Sequence, residues 1–417
     1  MTKPLISFII PAYNSQEHLT KCVNSITDQI FTSKNYEIII INDASRDNTL
    51  KICKKLKKIN IKIINNKKNL GVSLSRNKGI ELSKGEYLFF LDSDDTLSFS
   101  AIARIRKVIK LKDADIFFNL PNKKLLKTID NKKEKNTKDF CFNFFNNYDG
   151  FTAHAWNFIV RRKFLKKKKI FFNNIKTFED QVFTSKILLY ADKIKFFSKK
   201  ICNHSERPNS LGRKTNSLTV FSILSVIYEI SNLSHISKLS NAKRIFLMNR
   251  ISFMSKLLRI YFTICKKIDE YRVKTYLEKI NKQLIYRSKK IKFSELLLTN
   301  KKINYEIRKF KLLNIKNIFI FGSGMFGRIT GNLFLKNSLT FNSFLDNNKK
   351  FHGKFCLNKP IISFKFFFSS ASDHLAHSIV VLPLDNKEAI INLTYILKNY
   401  GLKKKNIKII NWNKIIK

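Results

Sequence analysis

The chain has 417 residues, of which 44% are hydrophobic and 13% aromatic, so it can bury large cores and is neither disordered nor fibrous. At about 100–200 residues per domain, this length predicts two or three domains. Eighty Lys and Arg against thirty Asp and Glu leave a net charge of +50, which attracts anionic partners such as a membrane surface, nucleic acid or a phosphorylated substrate. The bias of an A/T-rich genome, with many Lys and Asn and only 11 Gly, explains the same charge, so charge alone names no ligand.

Cysteine spacing and the N-terminal residues indicate the compartment. None of the six cysteines forms a Cys-x-x-Cys pair, so we expect free thiols in a reducing compartment. Met1–Pro11 lacks the charged start, apolar core and cleavage site of a signal peptide. The most apolar stretch, Leu218–Tyr228, is shorter than the about 20 residues of a spanning helix. We expect a cytoplasmic protein, peripheral at the cytoplasmic face of the inner membrane.

The first ~115 residues alternate strand and helix signals. Apolar runs predict strands at Leu5–Ile10, Tyr36–Ile41, Ile61–Asn65 and Tyr87–Leu91. Between them, apolar periodicity predicts helices at Ser15–Gln29, Asn48–Leu56 and Ser73–Leu82. This alternation predicts βαβ units and a mostly parallel sheet, and strands that are apolar throughout are typical of a sheet covered on both faces.

The rest of the chain changes pattern twice. Residues 215–300 are almost wholly helical, and the amphipathic part from Ile245 to Ile260 either packs on the first domain or contacts anionic lipid. A second α/β pattern then has strands at Asn317–Phe321, Phe341–Leu345, Ser378–Leu382 and Ile407–Ile410, with a helix at Arg328–Lys336. We predict domains at residues 1–215, 216–305 and 306–417.

Three acids follow the fourth predicted strand, in the sequence Asp92-Ser93-Asp94-Asp95. Ligands of open α/β sheets bind at the carboxyl ends of strands, and clustered carboxylates suit Mg²⁺ or Mn²⁺ holding substrate phosphates. The alternative is a solvated turn that caps a helix.

Two further polar clusters follow predicted strands. The first, Asn42–Asn48, contains Asp43 and either binds a ligand or caps a helix. In the second, Asn69–Gly79, Gly71 permits a tight loop, and Arg76 faces a phosphate or a surface salt-bridge partner.

Taken together, these clusters closely resemble family 2 of the glycosyltransferases, which have the nucleotide-sugar-binding GT-A fold. The motifs that carry the resemblance come in order at strand ends: Pro11-Ala12-Tyr13-Asn14, Asn42–Asp47, Asn69-Leu70-Gly71 with Arg76-Asn77, and Asp92–Asp95. The resemblance is tight over residues 4–115 and continues loosely to about residue 215. It implies that Pro11, Tyr13 and Asp43 hold the nucleotide base.

The resemblance also implies that Asp92 and Asp94 hold ribose, metal and diphosphate, with Mn²⁺ or Mg²⁺ at Asp94. It further implies an acceptor-side Glu-Asp pair, which falls on Glu179 and Asp180, with Asp180 as the catalytic base. A first helical turn enriched in acids is the alternative for that pair.

Downstream, His204 and Arg207 lie in a segment that resembles the family's loop over the donor phosphates. The family more often has a Tyr-Arg pair where this chain has Asn203-His204.

A second glycine cluster lies between a predicted strand and helix. Gly322, Gly324 and Gly327 form a Gly-x-Gly-x-x-Gly motif, and Asp346 ends the next strand. This is the dinucleotide fingerprint in its expected context, and it resembles Rossmann-like nucleotide-sugar modules. It predicts ligand binding, a structural or interaction role, or a second activity.

We therefore expect an α/β glycosyltransferase that moves a sugar from a nucleotide diphosphate donor to an acceptor hydroxyl with inversion, in bacterial surface polysaccharide, lipooligosaccharide or glycoconjugate assembly. The acceptor is a saccharide or lipid-linked saccharide, and no nucleic acid is involved. The rivals are a basic nucleic-acid-binding protein, which lacks any known motif here, and a non-catalytic scaffold.

Overall fold

The structure is a computed structural model that describes residues 3–29, 35–56, 60–110, 114–119, 141–142, 145–146, 153–197, 200–205, 216–236, 239–265, 268–283, 292–311, 317–323, 325–370, 378–384, 387–399 and 402–411. Its contacts divide the chain into two compact units. The first contains Met1–Glu206, Ser225–Ser252 and Gln283–Lys289, and the second contains Arg207–Leu224, Phe253–Lys282 and Lys290–Lys417. The predicted boundaries near residues 215 and 305 stay predictions, because the helical segment between them contributes to both units.

The first unit is built on a seven-stranded sheet in the order β3-β2-β1-β4-β7-β6-β8. Its strands are β1 Ile6–Ala12, β2 Tyr36–Asn42, β3 Ile61–Asn65, β4 Tyr87–Phe90, β6 Ile116–Asn119, β7 Phe158–Arg161 and β8 Ile194–Phe197, while β5 Thr96–Leu97 and β9 Cys202–Asn203 pair separately. Strands β1 to β4 are parallel, as predicted, whereas β7 runs antiparallel to β4.

The apolar runs explain why these segments are strands. β1 is buried along its whole length, and so are the residues of β2 from Ile38 onward, as expected for strands that have helices on both faces. The helices of this unit are α1 Leu19–Thr27, α2 Thr49–Leu56, α3 Val72–Leu82, α4 Ala101–Ile109, α5 Arg162–Lys167 and α6 Glu179–Tyr190. α1 turns its four apolar residues inward, as its periodicity predicts.

The second unit contains a six-stranded sheet in the order β12-β13-β11-β10-β14-β15. Its strands are β10 Asn317–Phe321, β11 Ser343–Leu345, β12 Phe355–Cys356, β13 Lys359–Ile362, β14 Ser378–Leu384 and β15 Ile407–Asn411. All pair in parallel except β12 with β13. The four strands predicted from the sequence are therefore confirmed, and the short pair β12 and β13 was not predicted.

The remaining helices are α7 Ser217–Leu233, α8 Asn241–Ile264, α9 Glu270–Gln283, α10 Phe293–Lys311, α11 Met325–Lys336, α12 Phe364–Ser370 and α13 Lys387–Asn399. The unit boundary runs through both α7 and α8. Over the described ranges, none of the helices combines the length and apolarity needed to cross a bilayer. All six cysteines are free thiols, as expected.

Candidate functional site

The sheet order brings the predicted polar clusters of the first unit to one edge. β1, β2 and β4 are neighbouring parallel strands, with Ile9 opposite both Ile39 and Phe90. Their carboxyl ends therefore lie side by side, and each is followed by one of the clusters. The Asp43 amide donates to the carbonyl of Ala12 (2.8 Å), which extends the β1–β2 ladder into the site.

The loops after β1 and β2 are fastened by side-chain hydrogen bonds. The Ser15 amide donates to Thr49 Oγ1 (2.7 Å), and the Ser15 hydroxyl pairs with that of Ser93 (2.7 Å). Asn14 has a positive φ of 49°, a conformation that non-glycine residues adopt at a cost. The Tyr13 side chain is left 42% exposed, so its ring is free to contact a ligand.

Asp43 closes the loop that leads into α3. Its Oδ1 accepts from Asn66 Nδ2 (2.7 Å) and the Leu70 amide (2.9 Å), and its Oδ2 accepts from the Gly71 amide (2.7 Å). Gly71 has a φ of 91°, which only glycine adopts without strain. The buried carboxylate thus holds the loop in place, and its predicted contact with a nucleotide base stays a prediction.

Arg76, on α3, joins the two acidic motifs. Its Nη2 donates to Asp92 Oδ1 (2.7 Å), while its Nη1 donates to Glu179 Oε1 (2.6 Å) and Asp180 Oδ1 (3.0 Å). The side chain is 3% exposed, and its Cζ lies 5.1 Å from the centre of the Phe172 ring. Burial disfavours the guanidinium charge, but the three carboxylates outweigh burial and raise the pKa of Arg76.

The sequence suggested a phosphate or a surface ion pair as the partner of Arg76. The structure instead gives it three carboxylates in a buried position. Removing one member of such a buried group costs about 3–5 kcal/mol, because the remaining charges lose their partner. Arg76 therefore fixes the distance between the strand-end acids and the first turn of α6.

The acidic pair lies at the start of α6. Phe178, the residue before it, has a φ of 64°, so the chain enters the helix through a strained position. Asp180 Oδ2 accepts from the Ala155 amide (3.2 Å). Stacking of Phe172 on Phe183, with ring centres 3.8 Å apart, holds the helix against the segment that packs under Arg76.

Glu179 is buried, Asp180 is partly buried with its side chain 18% exposed, and the two acids titrate as a pair. Burial and the neighbouring Asp180 raise the pKa of Glu179 to about 7. Burial also raises the pKa of Asp180, against the opposing attraction of Arg76. Two carboxyls this close share protons, so the pair takes up a proton at a higher pH than an ordinary acid does.

The strand-end acids differ in their surroundings. Asp95 is fully buried and accepts from the Ser205 amide (2.8 Å) and from His204 Nδ1 (3.0 Å). Pairing of β5 with β9 brings these residues together. The hydrogen bond to Asp95 raises the pKa of His204, against the effect of burial. The resemblance implies that His204 lies near the donor phosphates, and nothing in the sequence pairs it with Asp95. Arg207, the other residue of that segment, lies outside the described residues.

Asp92 and Asp94 would supply only part of the ligands of a metal ion that binds a diphosphate. The Asp92 side chain is 35% exposed beside Arg76, and Asp94 is half-buried. Within the described ranges, no three His, Cys, Asp or Glu side chains cluster as metal ligands. Mg²⁺ is usually held by one or two carboxylates together with substrate phosphates. Two acids at one strand end therefore fit such an ion.

The predicted glycine motif of the second unit forms a strand–turn–helix. Gly322 has a φ of 80°, and a Cβ at Gly327 would collide with the Gly322 carbonyl oxygen. Asp346 Oδ2 accepts from both the amide (2.8 Å) and the hydroxyl (2.6 Å) of Ser323. Gly324 lies outside the described residues. In a dinucleotide fingerprint the acid after the second strand meets a ribose hydroxyl. Here Asp346 is engaged with the glycine turn after β10, and ligand binding at this motif stays a prediction.

Comparison with known proteins identifies the family and the fold. The family profile "Glycosyl transferase family 2" matches residues 7–169. A poly(ribitol-phosphate) beta-N-acetylglucosaminyltransferase, TarP of Staphylococcus aureus (strain N315), is 32% identical over 56% of this chain and 74% of its own length. The poly(ribitol-phosphate) beta-glucosyltransferase of Bacillus spizizenii is 34% identical over 45% of this chain but 30% of its own length.

Solved structures share the fold. Crystal structures of residues 1–349 of S. aureus TarS, alone and with UDP-GlcNAc, align with a TM-score of 0.50 over 81% of this chain and 91% of that chain, at 20% and 18% identity. Fold and site thus define a GT-A glycosyltransferase. The chain belongs to family 2 of the glycosyltransferases.

Proposed function

We propose that this glycosyltransferase moves a sugar from a nucleoside diphosphate donor to an acceptor hydroxyl with inversion at the anomeric carbon. The observation that carries the proposal is the Arg76 network, which joins the strand-end acid Asp92 to the Glu179–Asp180 pair. Donor-side and acceptor-side carboxylates are thereby held at a fixed separation, and such positioning is a large part of catalysis.

The nucleotide belongs at the carboxyl ends of β2, β1 and β4. In this proposal the exposed Tyr13 ring contacts the base next to Pro11 and the buried Asp43, and Asp92, which is 35% exposed, binds the ribose. We favour a uridine nucleotide because a structural neighbour of the same fold binds UDP-GlcNAc. Turnover of a panel of nucleotide sugars would identify the donor sugar.

Asp180 is the proposed catalytic base, with Glu179 beside it. Its carboxylate takes the proton of the acceptor hydroxyl as the acceptor oxygen attacks the anomeric carbon. The bond between that carbon and the diphosphate oxygen breaks on the opposite face, and its electron pair leaves with the diphosphate. Attack opposite the leaving group inverts the configuration. General base catalysis of this kind contributes typically 10²–10⁴-fold.

Asp94, with Asp92 nearby, would hold the Mn²⁺ or Mg²⁺ ion that the family implies. Such an ion, when bound, neutralises the charge of the departing diphosphate. His204 is placed on the same side, and its raised pKa favours the imidazolium form, which can donate from Nε2 to a phosphate oxygen. Asp94→Ala is expected to abolish Mn²⁺-dependent UDP binding, measured by calorimetry. Unchanged binding would remove Asp94 from the site.

The likeness to poly(ribitol-phosphate) transferases supports a setting in bacterial surface polysaccharide or glycoconjugate assembly. For this chain we propose a saccharide or lipid-linked saccharide as the acceptor. A nucleic-acid-binding or scaffold role fares worse, because neither gives a reason for a buried network of three carboxylates around one arginine.

The test of this function is turnover of nucleotide sugars. The full chain is incubated with UDP- and GDP-sugars, with and without Mn²⁺, and nucleoside diphosphate release is measured. We expect one donor to be hydrolysed slowly without acceptor, and transfer products to have the opposite anomeric configuration to the donor. If no donor releases a nucleoside diphosphate, the protein is not a glycosyltransferase of this kind. A product with retained configuration contradicts only the inverting mechanism.

Membrane contact is a second part of the proposal. Four consecutive exposed lysines, Lys166–Lys169, lie in the last turn of α5 and directly after it, and basic residues near an anionic bilayer contribute about 1 kcal/mol each. We expect the protein to sediment with vesicles that contain phosphatidylglycerol and to dissociate as salt screens the charges. Equal binding to phosphatidylcholine vesicles would refute an electrostatic contact. The same proposal places the protein in the cytoplasm.

A further inference from the structure

Three rings in the first unit lie nearly parallel. His154 stacks on Trp156 with ring centres 5.0 Å apart and planes 7° apart. His204 lies 6.1 Å from Trp156 and 6.3 Å from His154, at plane angles of 21° and 22°. We call these three rings the ring platform. They come from two segments almost fifty positions apart, so their stacking is a tertiary feature.

The ring platform lies between the proposed base and the strand-end acids. The amide of Ala155, the residue between its first two rings, donates to Asp180 Oδ2. At the other side, His204 donates from Nδ1 to Asp95, which adjoins Asp94. A molecule seated on these rings is therefore next to both motifs.

Sheet topology separates the ring platform from the nucleotide side. The nucleotide clusters follow β2, β1 and β4, whereas the segment with His154 and Trp156 leads into β7, on the other side of β4. Because β7 is antiparallel to β4, with Phe89 opposite Ile159, its first residues lie at the carboxyl end of β4. His154 and Trp156 thus lie at the catalytic edge on the side of β4 away from Tyr13, while His204 reaches back to the strand-end acids.

The rings are open to solvent yet fixed in place. His154 is exposed, and the His204 side chain is 47% exposed. Trp156 is half-buried and packs against the hydrophobic core below it. Exposed aromatic surface at a catalytic edge is typical of ligand sites. Rigid rings of this kind bind without losing side-chain entropy.

We propose that the ring platform binds the sugar ring that carries the acceptor hydroxyl. One face of a pyranose presents C–H groups, which pack on flat aromatic rings, while its hydroxyls stay free to meet the Asp180 carboxylate. The inference rests on the proposed function for the reaction, but carbohydrate binding at this place can be tested separately from turnover.

Tryptophan fluorescence gives that test. The chain has two tryptophans, Trp156 and Trp412, and Trp412→Phe leaves the platform tryptophan as the sole emitter. In this variant, with UDP and Mn²⁺ present, a panel of methyl pyranosides is titrated. We expect a saturable change in emission from one or more of them, and no saturable change from the acyclic polyol sorbitol.

A second substitution removes one ring. His154→Ala, at an exposed position, is expected to weaken saccharide binding about three- to tenfold while UDP affinity is retained, since one stacked ring is worth about 0.5–1.5 kcal/mol. Tyr395→Ala removes an exposed ring of the second unit, 66% exposed, and serves as the matched control that changes neither affinity.

Three outcomes overturn the inference. In the first, no pyranoside changes the tryptophan emission. In the second, sorbitol produces the same change as the pyranosides. In the third, the nucleotide sugar alone changes the emission, which would mean that the ring platform binds the donor sugar. If saccharides alter the emission but no donor is ever turned over, the proposed function fails, and carbohydrate binding at the ring platform stands without the acceptor role. Turnover without any change in emission overturns the platform and leaves the proposed function intact.

Discussion

The two sheets of this protein share a local device and differ in what surrounds it. In the first, Asp43 follows a parallel strand and accepts the amides of a glycine loop. In the second, Asp346 follows a parallel strand and accepts the amide and hydroxyl of Ser323 in a glycine turn. Both acids thereby satisfy backbone groups that would otherwise lack partners.

The difference lies in the further charges. At the first sheet's edge, Asp92, Glu179 and Asp180 converge on the buried Arg76. At the second, the Asp346 side chain also accepts from the Asn348 amide (2.9 Å), so the side-chain hydrogen bonds described for it go to groups of the loops after β10 and β11. A glycine turn with an acid thus indicates only a strand–turn–helix. The convergence of acids from distant segments is the feature on which we base the proposed active site.

The largest effect is expected from Asp180→Asn, which keeps the shape of the side chain but removes its basicity. Transfer should fall by at least about 100-fold, the lower end of general base contributions, while the Kd for the donor stays nearly unchanged. Steady-state transfer and calorimetric donor titration measure the two. Near-normal transfer, or a loss of donor binding instead, would show that Asp180 is not the base.

Arg76→Lys is expected to have the next largest effect. Lysine keeps the charge but cannot hold three carboxylates with a planar fork, so transfer should fall at least about tenfold through a lower kcat. Arg259→Lys, in an arginine–glutamate pair of the second unit, is the matched control and should leave kcat near the unsubstituted value. Equal effects of the two substitutions would mean that the network at the first sheet has no special role.

The acidic pair predicts a pH dependence. Because the pKa of Glu179 is raised to about 7, the pair gains a proton as the pH falls through 7, and kcat/KM should decline there. Glu179→Gln should move that acid limb to lower pH, since only Asp180 is left and Arg76 favours its ionised form. Glu295→Gln in the second unit is the control and should leave the decline of kcat/KM at the same pH. If the decline stays near pH 7 in Glu179→Gln, it belongs to the titration of another group.

The smallest effect on transfer is expected from Asp346→Ala. It removes the acceptor of three hydrogen bonds in the second unit, so the free energy of unfolding should fall by about 1–3 kcal/mol. UDP binding should be unchanged, because the proposed donor site belongs to the first unit. Scanning calorimetry with and without UDP measures both quantities, and a loss of UDP binding would join the second turn to the donor site.

Local sequence features determined the elements of this fold. Apolar runs such as Ile38–Ile41 specify buried strands, and the polar clusters after them specify turns, because strand burial and turn chemistry depend on neighbouring residues. The order of motifs at the strand ends likewise identified the family, which the comparisons confirm, whereas the roles given to the site residues stay predictions. Bounds predicted for β3 and β10 agree with the structure to the residue.

Only the tertiary structure decided which of these residues meet. Arg76 and Asp180 are separated by 104 positions, and nothing in the local pattern of either pairs them. Their contact arises because α3 and α6 both begin at the carboxyl edge of the sheet, where the buried Arg76 charge needs carboxylate partners and finds them in Asp180, Glu179 and Asp92. The ring platform has the same origin, since β7 runs antiparallel beside β4 and brings Trp156 to that edge.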